Sequence, residues 1–266
     1  MNDKILILGD IHGRMIWQDI INKENPDKIV FLGDYVTTYE NISSEQQCSN
    51  LEDILNYKEN NSNKVILLRG NHDLQSLGYS WAECSGYDRV VSKYMSDIKD
   101  RFLQLTQYIY VIPNTNILCS HAGISCDWLK SVEMYLSKDN SQYDDGSTDL
   151  DIIINKINTI EPCELFGFTP NHINDFTGDS TTQPCTWIRP YTLLYSGIKE
   201  YVHVVGHTPI KHICNLKDEC IKAREKYSLK DNEDVINEYC DIWACDCLSN
   251  KEYLIYQNNK LTPSSL

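Results

Sequence analysis

Short apolar runs alternate with polar, glycine-bearing turns along the first two hundred residues. Lys4 to Leu8 predicts a strand that ends in Gly9-Asp10, and Ile16, Trp17, Ile20 and Ile21 then fall on one helical face. Lys28 to Leu32 predicts a second strand, ending in Gly33-Asp34. Leu51, Ile54 and Leu55 predict the next helix, and Val65 to Leu68 a third strand running into Arg69–Asp73. Strand, helix, strand, helix, strand implies a parallel sheet with right-handed crossovers.

Further on, Val91, Tyr94, Met95, Ile98, Phe102 and Leu105 keep helical spacing and predict one amphipathic helix with its apolar side in the core. Tyr108 to Ile112 and Ile117 to Ser120, joined through Pro113-Asn114, predict a hairpin that ends at His121. Tyr201 to Val205 predicts a strand that ends in Gly206-His207, and Asp241 to Tyr256 supplies closing strands. Residues 126–190 lack clean periodicity and predict a lid or insertion over the sheet edge. Residues 211–240, charged from Lys217 to Glu238, predict a solvated helical insertion. The whole of 1–266 reads as one domain.

Composition narrows the function. No apolar run approaches the ~18 to 20 residues of a membrane span. Lys and Arg number 24 against 38 Asp and Glu, a net charge of −14 that argues against a broad nucleic-acid or anionic-membrane footprint. Ile5–Leu8 enters Gly9-Asp10 without a preceding basic stretch, so no secretion signal is expected. With that, an odd count of 11 cysteines predicts reduced thiols in the cytoplasm. Cys245 and Cys247 form a lone CxC with no matching pair and read as buried thiols rather than a zinc site.

Five of the turns present hard metal ligands: Asp10 and His12, Asp34, Asn71 and His72, His121, and His207. Strand carboxyl ends of an α/β sheet open onto one crevice, so these side chains are expected to converge there. Carboxylate, imidazole and amide oxygen without thiolate suit Mn, Fe or Zn, with Mn the first expectation.

These turns, read as GDIHG (9–13), GDYV (33–36), GNHD (70–73), HAG (121–123) and GHTP (206–209), closely resemble the ordered blocks of the calcineurin-like metallophosphoesterases. The branch they look most like is that of bacterial and bacteriophage-type phosphoprotein phosphatases. Nuclease and phosphodiesterase branches commonly place a second histidine where this chain has Pro209. The resemblance implies a four-layer α/β/β/α sandwich with two mixed sheets and a dinuclear centre at the strand carboxyl ends. Asp10, His12 and Asp34 would hold one divalent ion and Asp34, Asn71, His121 and His207 the other, activating a bridging hydroxide to attack phosphorus in line. His72 would be the general acid, oriented by Asp73, although the family more often has Glu there and Asp73 could instead cap the adjacent helix.

Arg69 matches the family's phosphate clamp. Arg189 resembles a second clamp, the alternative being a surface arginine or an ion pair. Thr37 and Thr38 stand where the phosphatase branch continues with Asp and Arg, so one clamp is missing unless Arg14 or another cation takes its place. A phosphorylated protein or small phosphomonoester is the expected substrate. A nucleotide hydrolase acting on dinucleoside polyphosphates or phosphodiesters is the alternative, and a non-catalytic scaffold is disfavoured by the intact ligand positions. His203 reads as packing or support for the site, and His172 and His212 are assigned no role.

Overall fold

The computed structural model describes residues 3–139, 150–168, 178–226 and 238–266. Two mixed sheets form its centre. In the first, β1 (Ile5–Leu8), β2 (Lys28–Phe31), β3 (Val65–Leu68) and β4 (Thr106–Gln107) run parallel in that order. Strands β10 (Glu252–Gln257) and β11 (Lys260–Ser265) extend the β1 edge antiparallel. The second sheet is ordered β5 (Ile109–Val111), β6 (Ile117–Ser120), β7 (Val202–Val205), β9 (Asp241–Ala244), β8 (Cys214–Asn215), with β6, β7 and β9 parallel.

Strands covered on both faces are apolar at successive positions, which is why β1 reads Ile-Leu-Ile-Leu. Alternation then sorts the side chains. Ile5, Ile7, Val30, Leu32 and Leu68 meet Ile117, Cys119 and Val204 between the sheets. Leu6, Leu8, Ile29, Phe31 and Leu67 turn outward onto α1 (Trp17–Glu24) and α2 (Ser44–Asn60). Val205, Ile242 and Ala244 of the second sheet pack outward onto Leu193 and Leu194 of α8 (Pro190–Ser196) and Leu216 of α9 (Leu216–Lys226). The result is the layered order of helices, sheet, sheet, helices. Helix α2 starts at a capping box in which Ser43 Oγ accepts the Gln46 N–H at 3.2 Å and Gln46 Oε1 accepts the Ser43 N–H at 3.0 Å.

The amphipathic stretch from Val91 to Leu105 is two helices, α4 (Arg89–Asp97) and α5 (Lys99–Leu105). Ile98 between them leaves helical dihedrals, at φ −106° and ψ 11°. Apolar periodicity survives such a break because each half still faces the core, where the Phe102 ring lies 5.9 Å from Tyr35. Within 126–190 the described parts are packed against the core. Trp128 of α6 (Cys126–Asp139), Ile154 and Ile157 of α7 (Leu150–Ile157), and Phe166 join the main core. Residues 140–149, 169–177 (with His172) and 227–237 lie outside the described residues, so α9 accounts for only the first part of the charged 211–240 segment.

His203 on β7 is fully buried, and its Nε2–H donates to Ile198 O at 3.0 Å. Burial pushes its pKa down to about 4. A histidine depressed on folding stabilises fully above its unfolded value near 6.5 and loses that contribution as pH falls toward 4. Thermal unfolding of the metal-free protein should therefore show a loss of roughly 2–4 kcal/mol between pH 7 and 4 that His203→Gln reduces. An unchanged pH slope in the variant would assign the loss elsewhere.

Candidate metal centre and active site

Parallel strand ends deliver the candidate residues to one place. Asp10 follows β1, Asp34 follows β2, Asn71 follows β3, His121 follows β6 and His207 follows β7. All five are at least nine-tenths buried. Two glycines make the approach possible: a Cβ on Gly206 would stand 2.1 Å from Asp10 Oδ1, and one on Gly70 would stand 2.0 Å from Asp34 Oδ1. In the space they leave, Asp10 Oδ1 accepts the His207 N–H and Asp34 Oδ1 accepts the His72 N–H, both at 3.0 Å. His12, Asp34 and His207 adopt left-handed backbone at φ 45°, 50° and 63°. Non-glycine residues held there cost free energy, and such strain collects at functional sites.

The donor atoms close on one another. Asn71 Oδ1 lies 3.0 Å from His121 Nε2 and 3.1 Å from His207 Nδ1, while Asp34 Oδ2 lies 3.4 Å from His121 Nε2. On the other side, His12 Nε2 is 3.7 Å from Asp10 Oδ2 and 4.0 Å from Asp34 Oδ2. Atoms ~2.1 Å from a common ion, at right angles, stand about 3 Å apart, so these spacings fit divalent ions. Hydrogen bonding sharpens the fit. His121 Nδ1–H donates to Leu32 O at 2.9 Å and His12 Nδ1–H to Thr37 O at 2.6 Å, which in the neutral rings turns both Nε2 lone pairs toward oxygen lone pairs. Acceptors facing acceptors call for a cation. Asp10, Asp34 and His121 form a metal-binding group among the described residues.

Charge tells the same story without the cation. Burial opposes ionisation of Asp34, but His121, His72 and His12 hold it well below the usual carboxylate range. Burial likewise opposes the imidazolium of His121, yet Asp34 and Asp10 push it up to about 10. Asp10 is pushed up by burial and by Asp246. A cavity of about 530 Å³ opens over the cluster, lined by Asp10, His12, Asp34, Asn71 and His207 together with His72, Arg14 and Arg189.

The family model of calcineurin-like phosphoesterases matches residues 3–211. The chain belongs to that family. The phosphoesterase shares its fold with solved structures at low identity. One is a cold-active protein-tyrosine phosphatase from a psychrophilic Shewanella, 18% identical, with a TM-score of 0.54 over 100% of this chain and 81% of that one. A second is a protein serine/threonine phosphatase from Saccharomyces cerevisiae, 15% identical, TM-score 0.54, over 100% of this chain and 80% of that one. No curated protein matches the sequence.

Two residues with expected roles make other contacts in the phosphoesterase. Asp73 does not reach His72. Its carboxylate accepts the backbone N–H groups of Gly70 (2.8 Å), Asp34 (2.9 Å) and Tyr35 (2.9 Å), closing the first turn of α3 (Asn71–Ser76) and tying it to the β2 end. Burial and the Asp34 charge push Asp73 up to about 7. Asp73→Ala leaves three buried donors without their acceptor and should cost about 3 kcal/mol or more in urea unfolding. Unaltered stability with a lower kcat would restore the orienting role.

Arg69 turns away from the cavity. Its Nη2 donates to Leu103 O and Thr106 O, both at 2.7 Å, and its Nε to Thr106 Oγ1 at 2.8 Å, so the guanidinium is taken up at the junction of α5 and β4. The cavity's cations come instead from Arg14 and Arg189. Arg14 is held by Glu40 at 2.7 Å and by Asp10 O at 3.1 Å, and Arg189 Nη1 donates to Thr208 Oγ1 at 3.1 Å. Thr38 Oγ1 accepts the Glu40 N–H at 3.0 Å and thereby shapes the turn that carries the Arg14 partner.

Sequence reasoning missed three cavity features. Asp246 follows β9 as the other acids follow their strands, but it hides between two cysteines that drew attention for their own spacing. Both thiols are buried beside it, Cys247 Sγ donating to Lys211 O at 3.1 Å. Tyr39, Phe168 and Trp187 give the cavity an aromatic wall, with the Trp187 ring 5.5 Å from His207. Cys84, twelve positions after His72 and outside any motif, sits against that histidine at 3.4 Å.

Proposed function

We propose that this phosphoesterase hydrolyses phosphomonoesters, of phosphorylated protein or of a small molecule, with a pair of divalent ions. Asp10, His12 and Asp34 would hold one ion and Asp34, Asn71, His121 and His207 the other, manganese being the first candidate and iron or zinc the others. Bound there, the pair supplies Lewis-acid polarisation of the phosphoryl group and activation of the attacking water. The observation that carries the reading is one cavity holding the acceptor cluster, two arginines and His72 together.

Arg14 and Arg189 bind the phosphoryl oxygens that the ions leave uncovered, and their planar forks fix its orientation. His72 Nε2 delivers a proton to the leaving-group oxygen as the P–O bond breaks. The aromatic wall excludes water from one side of the ester. All eleven cysteines are free thiols, which suits a cytoplasmic setting.

A direct comparison tests the reading: phosphopeptide, p-nitrophenyl phosphate, bis-p-nitrophenyl phosphate and dinucleoside tetraphosphate turned over side by side with Mn. The monoesters should be preferred, and Arg189→Ala should raise their KM by about 10-fold or more. Activity confined to the diester or the anhydride would replace this reading with nucleotide hydrolysis.

A further inference from the structure

We infer that Cys84 is the positioning residue for His72, a thiol standing where a carboxylate partner was expected. The inference deepens the phosphomonoesterase reading and rests on it for the role of His72. Its basis is a contact: Cys84 Sγ lies 3.4 Å from His72 Nδ1, while the Asp73 carboxylate next in sequence is taken up by three backbone N–H groups. With Nδ1 against sulfur, Nε2 is the nitrogen left for substrate. In the neutral ring the S–H donates to Nδ1 and the ring proton sits on Nε2; in the charged ring Nδ1–H points at a weak sulfur acceptor. Either way the ring plane is held.

The thiol itself is fixed from several sides. Its backbone N–H donates to Gln75 Oε1 at 2.6 Å, tying the segment after the 3-10 turn Ser80–Ala82 to α3, the helix that carries His72. Ser85 Oγ bonds Tyr39 OH. Gly86, at φ +78°, lies so close to Thr37 that a Cβ would stand 2.8 Å from its Cγ2. His12 makes an edge contact with the same ring at 5.4 Å between centroids. The imidazole is thus confined by a thiol on one side and a second imidazole on another. The Asn71 side chain hydrogen-bonds the same sulfur, so Cys84 touches both the proton donor and a candidate metal-holding amide, and the test must separate the two.

Leaving-group dependence separates them. Proton delivery matters for phenyl phosphate, whose phenolate leaves poorly, and little for p-nitrophenyl phosphate, whose leaving group needs no proton. Cys84→Ala should lower kcat on phenyl phosphate by about 10- to 100-fold, with KM unchanged and p-nitrophenyl phosphate turnover within about 3-fold. Cys84→Ser, which keeps a hydrogen-bonding atom at that position, should restore most of the loss. In parallel, the ring nitrogen resonances of His72 in the metal-free protein should move in Cys84→Ala and return in Cys84→Ser. Equal losses on both esters would point to Asn71 and overturn the proposal, as would unmoved His72 resonances. Should Cys84→Ala fail to fold, Cys84→Val supplies the same comparison. If the wild-type protein turned over no monoester, the functional reading would fall, and the resonances would still decide whether Cys84 sets the His72 ring.

Discussion

Asp34→Ala is expected to abolish turnover, by ~10³-fold or more, equivalent to about 4 kcal/mol or more of barrier. The reason is position. Asp34 Oδ2 lies between the two sets of donors, 3.4 Å from His121 Nε2 and 4.0 Å from His12 Nε2. Its loss should release both ions together, whereas Asp10→Ala, which removes a carboxylate assigned to one ion, should release one. Metal content measured beside kcat checks this. Retention of two ions with turnover within tenfold of wild type would show that Asp34 does not bridge. Stability pulls the other way: Asp34 Oδ1 also accepts the His72 N–H, so the variant's unfolding midpoint has to be measured to separate a lost ion from a lost fold.

His72→Ala should lower kcat on poor leaving groups by roughly 10² to 10⁴ while both ions stay bound. His72 lines the cavity, its backbone is anchored to Asp34, and its ring lies against Cys84 and the edge of the His12 ring. A general acid removed in this way costs rate at saturating substrate and little in KM, because proton transfer belongs to the transition state. Unchanged kcat would remove His72 from the chemistry. Loss of an ion in this variant would make it a ligand instead.

The central architecture was legible because strand and turn are local. Runs such as Ile5–Leu8 and Val65–Leu68 announce strands buried on both faces, and each ends in a turn carrying a hard ligand. Where the contacts differ from expectation, the deciding interaction is nonlocal. Arg69 was expected at the phosphate because it stands one residue before Gly70; it goes instead to carbonyls at the junction of α5 and β4, more than thirty positions away, which no pattern around Arg69 encodes. Asp73 was expected to serve its sequence neighbour His72, but its carboxylate fits the open N–H groups of its own helix start and of the β2 turn. The left-handed backbones of His12, Asp34 and His207 left a trace only in the flanking glycines. Cys84 and Asp246 reach the cavity through a turn and a strand end that carry no recognisable string.

The break at Ile98 follows the same rule. Helical spacing persists across it because both segments bury the same side, so the sequence shows the face and not the bend. Arg14, the cation considered as a stand-in for the arginine missing at Thr38, lies in the turn after β1, lines the same cavity and pairs with Glu40.

Crystals soaked in Mn and measured at the Mn absorption edge test the central claim most directly. Two anomalous peaks ~3.5 to 4 Å apart, with Asp34 reaching both, are predicted. A lone peak, or a pair that Asp34 does not touch, would contradict it.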